Sequence, residues 1–564
     1  MRRSFALVAV LALVAISCAP SAPSPQAGPA DKPAPGGRIV AADTSDIKTL
    51  NPVLSSDIPS SNAWTLLYLP LTRANPDNAQ IEPTLAEKFD LSPDGLKLTY
   101  RLRDGLVWSD GVAFSGEDYQ YTAEAVMRSK RTVRKGTFEN VVGAKDYQEG
   151  KTDTITGITV SDGGKTIEVR FSQPFCPAVA QLGGAGAGGM IPKHSFLKYW
   201  DNKTTDVTKN IDDNPLNMNP PASIGPFVFK EYVPGDRITF TRNDKYFAGA
   251  PLVEEFTIKV YADQNAIKSA LEVGEVSYAS VEGKDWDALS KNGALKGYRF
   301  GGLGLTYIGW NPSNPKAPWL ADKRFRQALS YGLNIDQLID KVLFGFGKRV
   351  YGYSVPLYWS FDEEGINKYP YDTAKAKQLI EAAGATMGPD GFYRWPGGST
   401  VSLKIEAGSG STVNESTLQI AQDQYGKIGI KVDPQLVAFQ TLTEKTRFGK
   451  PDWEGFVLGF SYGAEPDPYG IWHSAQSHAT GFNRVGFKSA DATIEKQRNG
   501  PDCSIATRKS LIHQVDKVLN DEVPWTFLWA GDTLVFAQRS LQAYEPKPFS
   551  TGSRWNVERW WIKR

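Results

Sequence analysis

The chain has 564 residues, 22% of them charged and 41% hydrophobic, with a formal net charge of +1. That balance leaves no basic footprint for a nucleic-acid backbone, and no block of like charge interrupts the sequence. No stretch reaches the run of about 18 apolar residues that reads as a membrane-spanning helix, and the length calls for two or three lobes rather than one core.

At the N-terminus, Arg2 and Arg3 precede the apolar run Phe5 to Ile16, which Ser17-Cys18 follows. A basic start, a short apolar segment and a small residue before the cut read as a secretory signal over residues 1–17. Ala15-Ile16-Ser17-Cys18 resembles a bacterial lipobox, which makes Cys18 the expected lipidation site. The proline-rich segment 18–37 reads as an extended tether, reaching roughly 60 Å at about 3.1 Å per residue. The expected product is a globule secreted across the cytoplasmic membrane. It would be held by lipid alone, in a periplasm or on the outer face of the cell membrane. Cys176 and Cys503 are the only other cysteines. Such a compartment permits a disulfide, and the sequence leaves their pairing open.

In chain order, Gly37 to Val40 opens a strand, Thr49-Leu50-Asn51-Pro52 makes a turn, and a helical stretch is expected near Ala63 to Leu69. Leu98 to Leu102 and Thr166 to Phe171 alternate as strands do. Ser115-Gly116-Glu117-Asp118 starts a helix to about Lys130. Gly225 to Tyr232 and Asp236 to Asn243 read as a hairpin turning at Pro234-Gly235. Asp322 to Leu343 carries apolar residues at helical spacing. Asp372 to Gly384 has a fitting N-cap and a fitting C-terminal glycine. Ser416 to Lys427 predicts a third helix, followed by a strand at Ile430 to Val432. Strands alternating with helices throughout put the chain in the α/β class, with mixed α+β sheets.

An ordered set of landmarks runs through this frame. It includes Thr49-Leu50-Asn51-Pro52, Tyr100-Arg101-Leu102-Arg103-Asp104-Gly105, Trp108-Ser109-Asp110-Gly111, Ile224-Gly225-Pro226-Phe227, Asn243-Asp244-Lys245-Tyr246-Phe247 and Arg324-Phe325-Arg326-Gln327-Ala328-Leu329. In this order and spacing the chain, from about residue 38 to 564, resembles the extracellular solute-binding proteins of ABC importers, in the class that serves peptides and nickel. The oligopeptide-binding branch is the most similar. The resemblance implies a two-lobed, hinged trap. Lobe I would span 38–304 with an inserted subdomain near 75–200, lobe II 305–524, and a C-terminal return to lobe I 525–564. Crossings between lobes are expected near Gly302 to Asn311 and near Pro524 to Trp529. The implied function is capture of short peptides by a monomer, with delivery to the permease subunits of an ABC importer. From charge and motif spacing, no nucleic-acid partner, no metal and no cofactor are expected.

Two motifs invite other readings. Gly459-Phe460-Ser461-Tyr462-Gly463 is a literal G-x-S-x-G, and Ser461, Asp491 and His513 follow the order of a hydrolase triad. A nucleophile elbow needs a helix directly after the serine, but Pro466 and Pro468 oppose one. Gly184-Ala185-Gly186-Ala187-Gly188-Gly189 is a formal G-x-G-x-x-G, yet it lacks the preceding strand and following helix of a dinucleotide site. The four histidines, His194, His473, His478 and His513, show no metal-ligand spacing. An oligosaccharide binder of the same fold is the alternative function, since 15 Trp and 23 Tyr could stack on sugar rings. A secreted serine hydrolase is the alternative from a different class.

Ligand contacts are expected from Ser55, Ser56 and Asp57 after the first strand, and from Tyr307 and Trp310 at the first crossing. Ser409, Gly410 and Ser411 are expected at the end of the strand Val401 to Ala407. Phe460, Tyr462, Gly463, Glu465, Asp467 and Trp472 are expected from the loop that follows the strand Trp453 to Phe460. Relatives carry an aspartate early in that loop which pairs with the ligand's ammonium. Here Gly463-Ala464 stands in its place, and Glu465 is the nearest acid.

Overall fold

The computed structural model describes residues 32–184, 188–450, 452–479, 481–549 and 554–563. The signal, Cys18 and most of the tether therefore lie outside the described residues, as do positions 185–187 of the glycine run. A twelve-stranded mixed sheet runs through the molecule. Its strands, in chain order, are β1 (Arg38–Asp43), β2 (Phe227–Val233), β3 (Arg237–Arg242), β4 (Glu255–Val260), β5 (Tyr278–Ser280) and β6 (Leu295–Gly301). They continue as β7 (Gly304–Trp310), β8 (Gly347–Arg349), β9 (Ser402–Gly408), β10 (Lys431–Val437), β11 (Gly455–Ser461) and β12 (Trp525–Gln538). The order is β10-β9-β11-β7-β12-β5-β1-β4-β3-β2, with β6 and β8 also paired to β12.

β12 holds the two halves together. Its first part runs antiparallel to β7, from Gly309 opposite Trp525 to Thr306 opposite Trp529, and its second part to β6, from Gly301 opposite Asp532 to Leu295 opposite Gln538. β6 passes to β7 through Gly302, whose amide donates to the Gly531 carbonyl at 3.0 Å. A Cβ on Gly302 would sit 2.3 Å from that oxygen, so only glycine allows the two crossing segments this close. On one side lies a core built on Ile39, Leu50, Trp108, Tyr119, Phe227 and Phe256, closed by Tyr544 and Trp560 from the C-terminus. A second body has two linked cores, one around Trp310, Phe325 and Leu403, the other around Tyr307, Trp472 and Trp525. Trp525, Phe527, Leu528 and Trp529 all pack in the second body, so β12 enters the first body only beyond Gly531.

Local signals account for most elements. Ser115 and Asp118 form a reciprocal capping box on the helix Gly116–Arg128. Asp372 caps Thr373–Ala382 by accepting the Lys375 amide at 2.8 Å. Gly235 turns the β2–β3 hairpin with φ +72°. The periodic run Asp322 to Leu343 is two helices rather than the expected one, Lys323–Tyr331 and Ile335–Lys341. Asn334 causes the break: its side chain caps the second helix on the Gln337 amide, competing with continuation of the first. The helix expected at Ala63 to Leu69 instead spans Ile58–Trp64. Asp57 caps it on the Ser60 amide at 2.9 Å, and Pro59 suits the first turn.

The helix Ile505–Glu522 carries a buried acid, Asp516, whose Oδ1 accepts the amides of Tyr353 at 2.5 Å and Ser354 at 3.2 Å. Burial outweighs these hydrogen bonds and raises its pKa to about 6, from 3.8. The folded state therefore holds a proton that the unfolded chain releases. This group's contribution is fully present below pH 4 and is lost as pH rises through 6, a decline of about 3 kcal/mol. Asp516→Asn keeps the accepting oxygen and removes the titration. Denaturant titrations at pH 4.5 and 7.5 should show the variant gaining on the wild type at the higher pH.

Candidate functional site

A cavity of about 250 Å³ lies between the two bodies. The first body contributes Arg73 and Ala74, the segment Val133 to Thr137 beyond the helix Gly116–Arg128, and the stretch around Gln181 and Gly184. The second contributes Tyr353, Tyr358, Phe482, Arg498 and the loop that leaves β11. Phe460, Tyr462, Gly463, Glu465 and Asp467, all expected as contacts, line it.

Its aromatic wall is one packed group. The Tyr462 ring lies 4.9 Å from Tyr353, 5.5 Å from Tyr358 and 5.1 Å from Phe460. Tyr353 donates its hydroxyl to the Asp467 carbonyl at 3.2 Å, and Tyr358 donates to the Gly463 carbonyl at 3.0 Å. The Tyr462 hydroxyl is buried and has no hydrogen-bond partner among the described residues. Burial holds all three phenols well above their ordinary pKa, so each presents a neutral O–H.

Both loop acids are already engaged. The Asp467 carboxylate accepts from Gln497 at 2.6 Å, the Tyr469 amide at 3.1 Å, Gln181 at 2.7 Å and the Arg498 guanidinium. Gln181 belongs to the first body, so Asp467 is a tie between bodies. Glu465 pairs with Arg508; burial raises its carboxyl, and Arg508 partly draws it back. An ammonium arriving at Glu465 would thus meet a carboxylate whose charge Arg508 already answers.

The other expected contacts are placed elsewhere. Trp310 and Trp472 are fully buried, and Tyr307 stacks on Trp525 with ring centroids 3.4 Å apart. Trp310 donates its indole N–H to Thr526 at 3.0 Å. These three are core residues, because the strand and the short helix that carry them have cores on the faces concerned. Asp57 caps a helix, and the buried Ser55 hydroxyl meets Ser61 at 3.1 Å; Ser56 is half-buried and does not line the cavity. Gly410 and Ser411 lie at a different contact between the bodies, and Ser409 beside them is exposed, its amide donating to the Val437 carbonyl. There Ser411 donates to Glu282 at 2.8 Å and the Gly410 carbonyl accepts the Gln264 amide.

Sequence reasoning missed Arg134. Its guanidinium donates to the carbonyls of Pro52 at 2.8 Å and Ser55 at 3.0 Å. Among the described residues it has no carboxylate partner. Burial lowers it to about 10, so it stays cationic at neutral pH. Nothing in the local sequence marks it, because its surroundings come from residues 52–55 and the opposite body. Arg498, Arg508, Tyr353 and Tyr358 escaped notice for the same reason.

The triad of the hydrolase reading is not assembled. Ser461 ends β11 on the surface, Asp491 accepts from the Ser474 amide and hydroxyl, and His513 contacts the Glu364 carbonyl at 2.8 Å. The helix after the motif is only Tyr469–Trp472. Among the described residues, no three His, Cys, Asp or Glu side chains gather as a metal site, and no helix is long and apolar enough to cross a membrane.

Two bodies joined through crossing strands, with a cavity walled by both, define a mixed α/β two-lobed binding protein of the periplasmic-binding type. The chain belongs to the bacterial extracellular solute-binding proteins, family 5, whose middle region matches residues 80–481; it is a binding protein and not an enzyme. The oligopeptide-binding protein AppA of Bacillus subtilis is 27% identical over 570 residues, covering 100% of this chain and 98% of that protein. Its solved structure, in complex with a nonapeptide, superposes with a TM-score of 0.84 at 26% identity, covering 94% of this chain and 100% of that one. The oligopeptide-binding protein OppA of Lactococcus lactis is 27% identical over 438 residues, 73% of this chain and 70% of that protein. NikZ from Campylobacter jejuni, solved with Ni(L-His), shares the fold, with a TM-score of 0.79 at 21% identity over 93% of this chain and 99% of that one.

Proposed function

We propose that the chain captures short peptides in the cavity between its bodies and hands them to the permease of an ABC importer. In this reading it acts as a monomer anchored through a lipid on Cys18. Residues 38–301 with the C-terminal return would form lobe I, the residues from Gly304 to about Ala530 lobe II, and Gly302 and Gly531 the hinge. A ligand touching both lobes stabilises only their closed arrangement, which a permease can distinguish from the open one.

The observation that carries the reading is unspent polarity in the cavity wall. Among the described residues, Tyr462 offers a buried hydroxyl without a partner, and Arg134 offers a cation without a carboxylate. A peptide supplies both complements, its carbonyls for the hydroxyl and its C-terminal carboxylate for the guanidinium. A neutral sugar supplies only the first, so the cation favours the peptide over the oligosaccharide. AppA, bound to a nonapeptide, supports the same class.

Calorimetry with matched peptides bearing a free or an amidated C-terminus tests this. A charge-assisted hydrogen bond contributes about 1.5–3 kcal/mol, so Arg134→Ala should weaken the free-acid peptide roughly 10- to 150-fold. The amide should lose little. Equal losses for both would remove the carboxylate anchor. A sugar found by mass spectrometry on gently purified protein, with no peptide binding, would overturn the function.

A further inference from the structure

A third covalent link joins the bodies. Besides the two strand crossings at Gly302 and Gly531, Cys176 and Cys503, 327 residues apart, form a disulfide. Cys176 lies between the strand Thr166–Arg170 and the helix Ala178–Leu182, next to Phe175 in the core of the first body. Cys503 precedes the helix Ile505–Glu522, whose Val515 and Leu519 pack in the second body.

The bridge stands at the rim of the cavity, within a band of contacts in which side chains of the second body reach the first. The Cys176 amide donates to the Arg498 carbonyl at 2.8 Å, and Asn140 donates to Asn499 at 2.8 Å. Arg498 reaches the Gly136 carbonyl, and its guanidinium lies 4.6 Å from the Phe175 ring and 4.1 Å from the Tyr469 ring. Gln181, Asp467 and Arg498, which share in this band, also line the cavity. Non-covalent ties of this kind can break and re-form as a cleft opens. The disulfide cannot.

The limit it sets is geometric. The Cα atoms of the bridged cysteines are 5.1 Å apart, and a disulfide spans at most about 6.8 Å between Cα atoms. The rim can therefore part there by less than about 2 Å while the bond is intact.

We propose that Cys176–Cys503 is a thiol-operated latch on the cleft, which keeps this rim closed when oxidised and lets the bodies swing apart when a dithiol reduces it. Cys503 is exposed and Cys176 half-exposed, so the bond is open to attack. A thiolate of the dithiol attacks the Cys503 sulfur, the Sγ–Sγ bond breaks, and Cys176 leaves as thiolate. The second thiol of the reductant then displaces Cys503 and closes its own disulfide. Two electrons pass from the dithiol to the bridge, and each cysteine takes up one proton.

Hydrogen exchange read by mass spectrometry on the full chain tests the latch without any ligand, so its outcome is independent of the peptide reading. Wild type before and after dithiothreitol would be compared with the Cys176→Ser/Cys503→Ser double variant. Reduction and the double variant should each speed exchange at least tenfold in segments 134–141, 175–183 and 463–476, with the parts of the cores outside these segments unchanged. Comparable acceleration throughout both cores would make the bridge a staple of the fold, and no acceleration at the rim would show that it restrains nothing; either result overturns the latch. Reduction of the wild type decides the matter even if the double variant fails to fold.

Discussion

Asp467→Ala is expected to destabilise the folded protein by about 3–5 kcal/mol, measured by denaturant titration at neutral pH. The pair it forms with Arg498 is almost wholly shielded, the two side chains being 1% and 2% exposed. Removing one partner of such a pair leaves the other charge buried without compensation, and that penalty, not the worth of the pair itself, sets the size of the loss. Arg498 would retain the Gly136 carbonyl and a distant Glu139 at 4.0 Å, too little to replace a carboxylate that it now touches. The amides of Gln497 and Gln181 would lose their acceptor as well. Asp467→Asn should fall in between, because an amide oxygen still accepts from neutral donors but does not neutralise Arg498. A cost under 1 kcal/mol for the alanine variant would show that solvent reaches the pair.

Trp472→Ala should cost a similar amount, about 3–5 kcal/mol, and should leave the affinity of the folded protein for peptide nearly unchanged. The indole ring is fully buried, 4.2 Å from the Trp525 ring and 5.5 Å from Phe487 in an edge-on contact. Its N–H has no hydrogen-bond partner among the described residues. Trp472→Phe should therefore recover much of the loss, since it keeps most of the apolar volume and removes an orphaned donor. The pair of variants separates core from cleft: weakened binding at unchanged stability would return Trp472 to the ligand.

The loop that carries both residues shows what a linear reading can and cannot resolve. Pro466 and Pro468 were enough to oppose a nucleophile elbow, because proline's effect on a helix acts within a single turn. That Phe460, Tyr462 and Gly463 border the cavity follows from their place at the end of β11. Asp57, expected at the ligand, is a helix cap, and Asp467 is a contact between bodies. A polar side chain at the start of a helix serves either purpose with the same sequence signature. Tyr307 and Trp310 lie at the expected crossing, but both faces of a central strand are covered, so position along the chain does not predict exposure.

By itself, the sequence determined the class of fold, the family and most of the helices and strands. Capping boxes, turn glycines and apolar periodicity are written within a few residues of the structure they cause. Only the tertiary structure decided that Arg134 stands in the cavity wall with no carboxylate partner among the described residues, that Arg498 and Arg508 already hold the loop acids, and that Cys176 meets Cys503. Each of these depends on burial and charge pairing between segments that the chain keeps far apart, 327 residues for the disulfide. Such contacts exist only once two separately packed bodies are brought face to face.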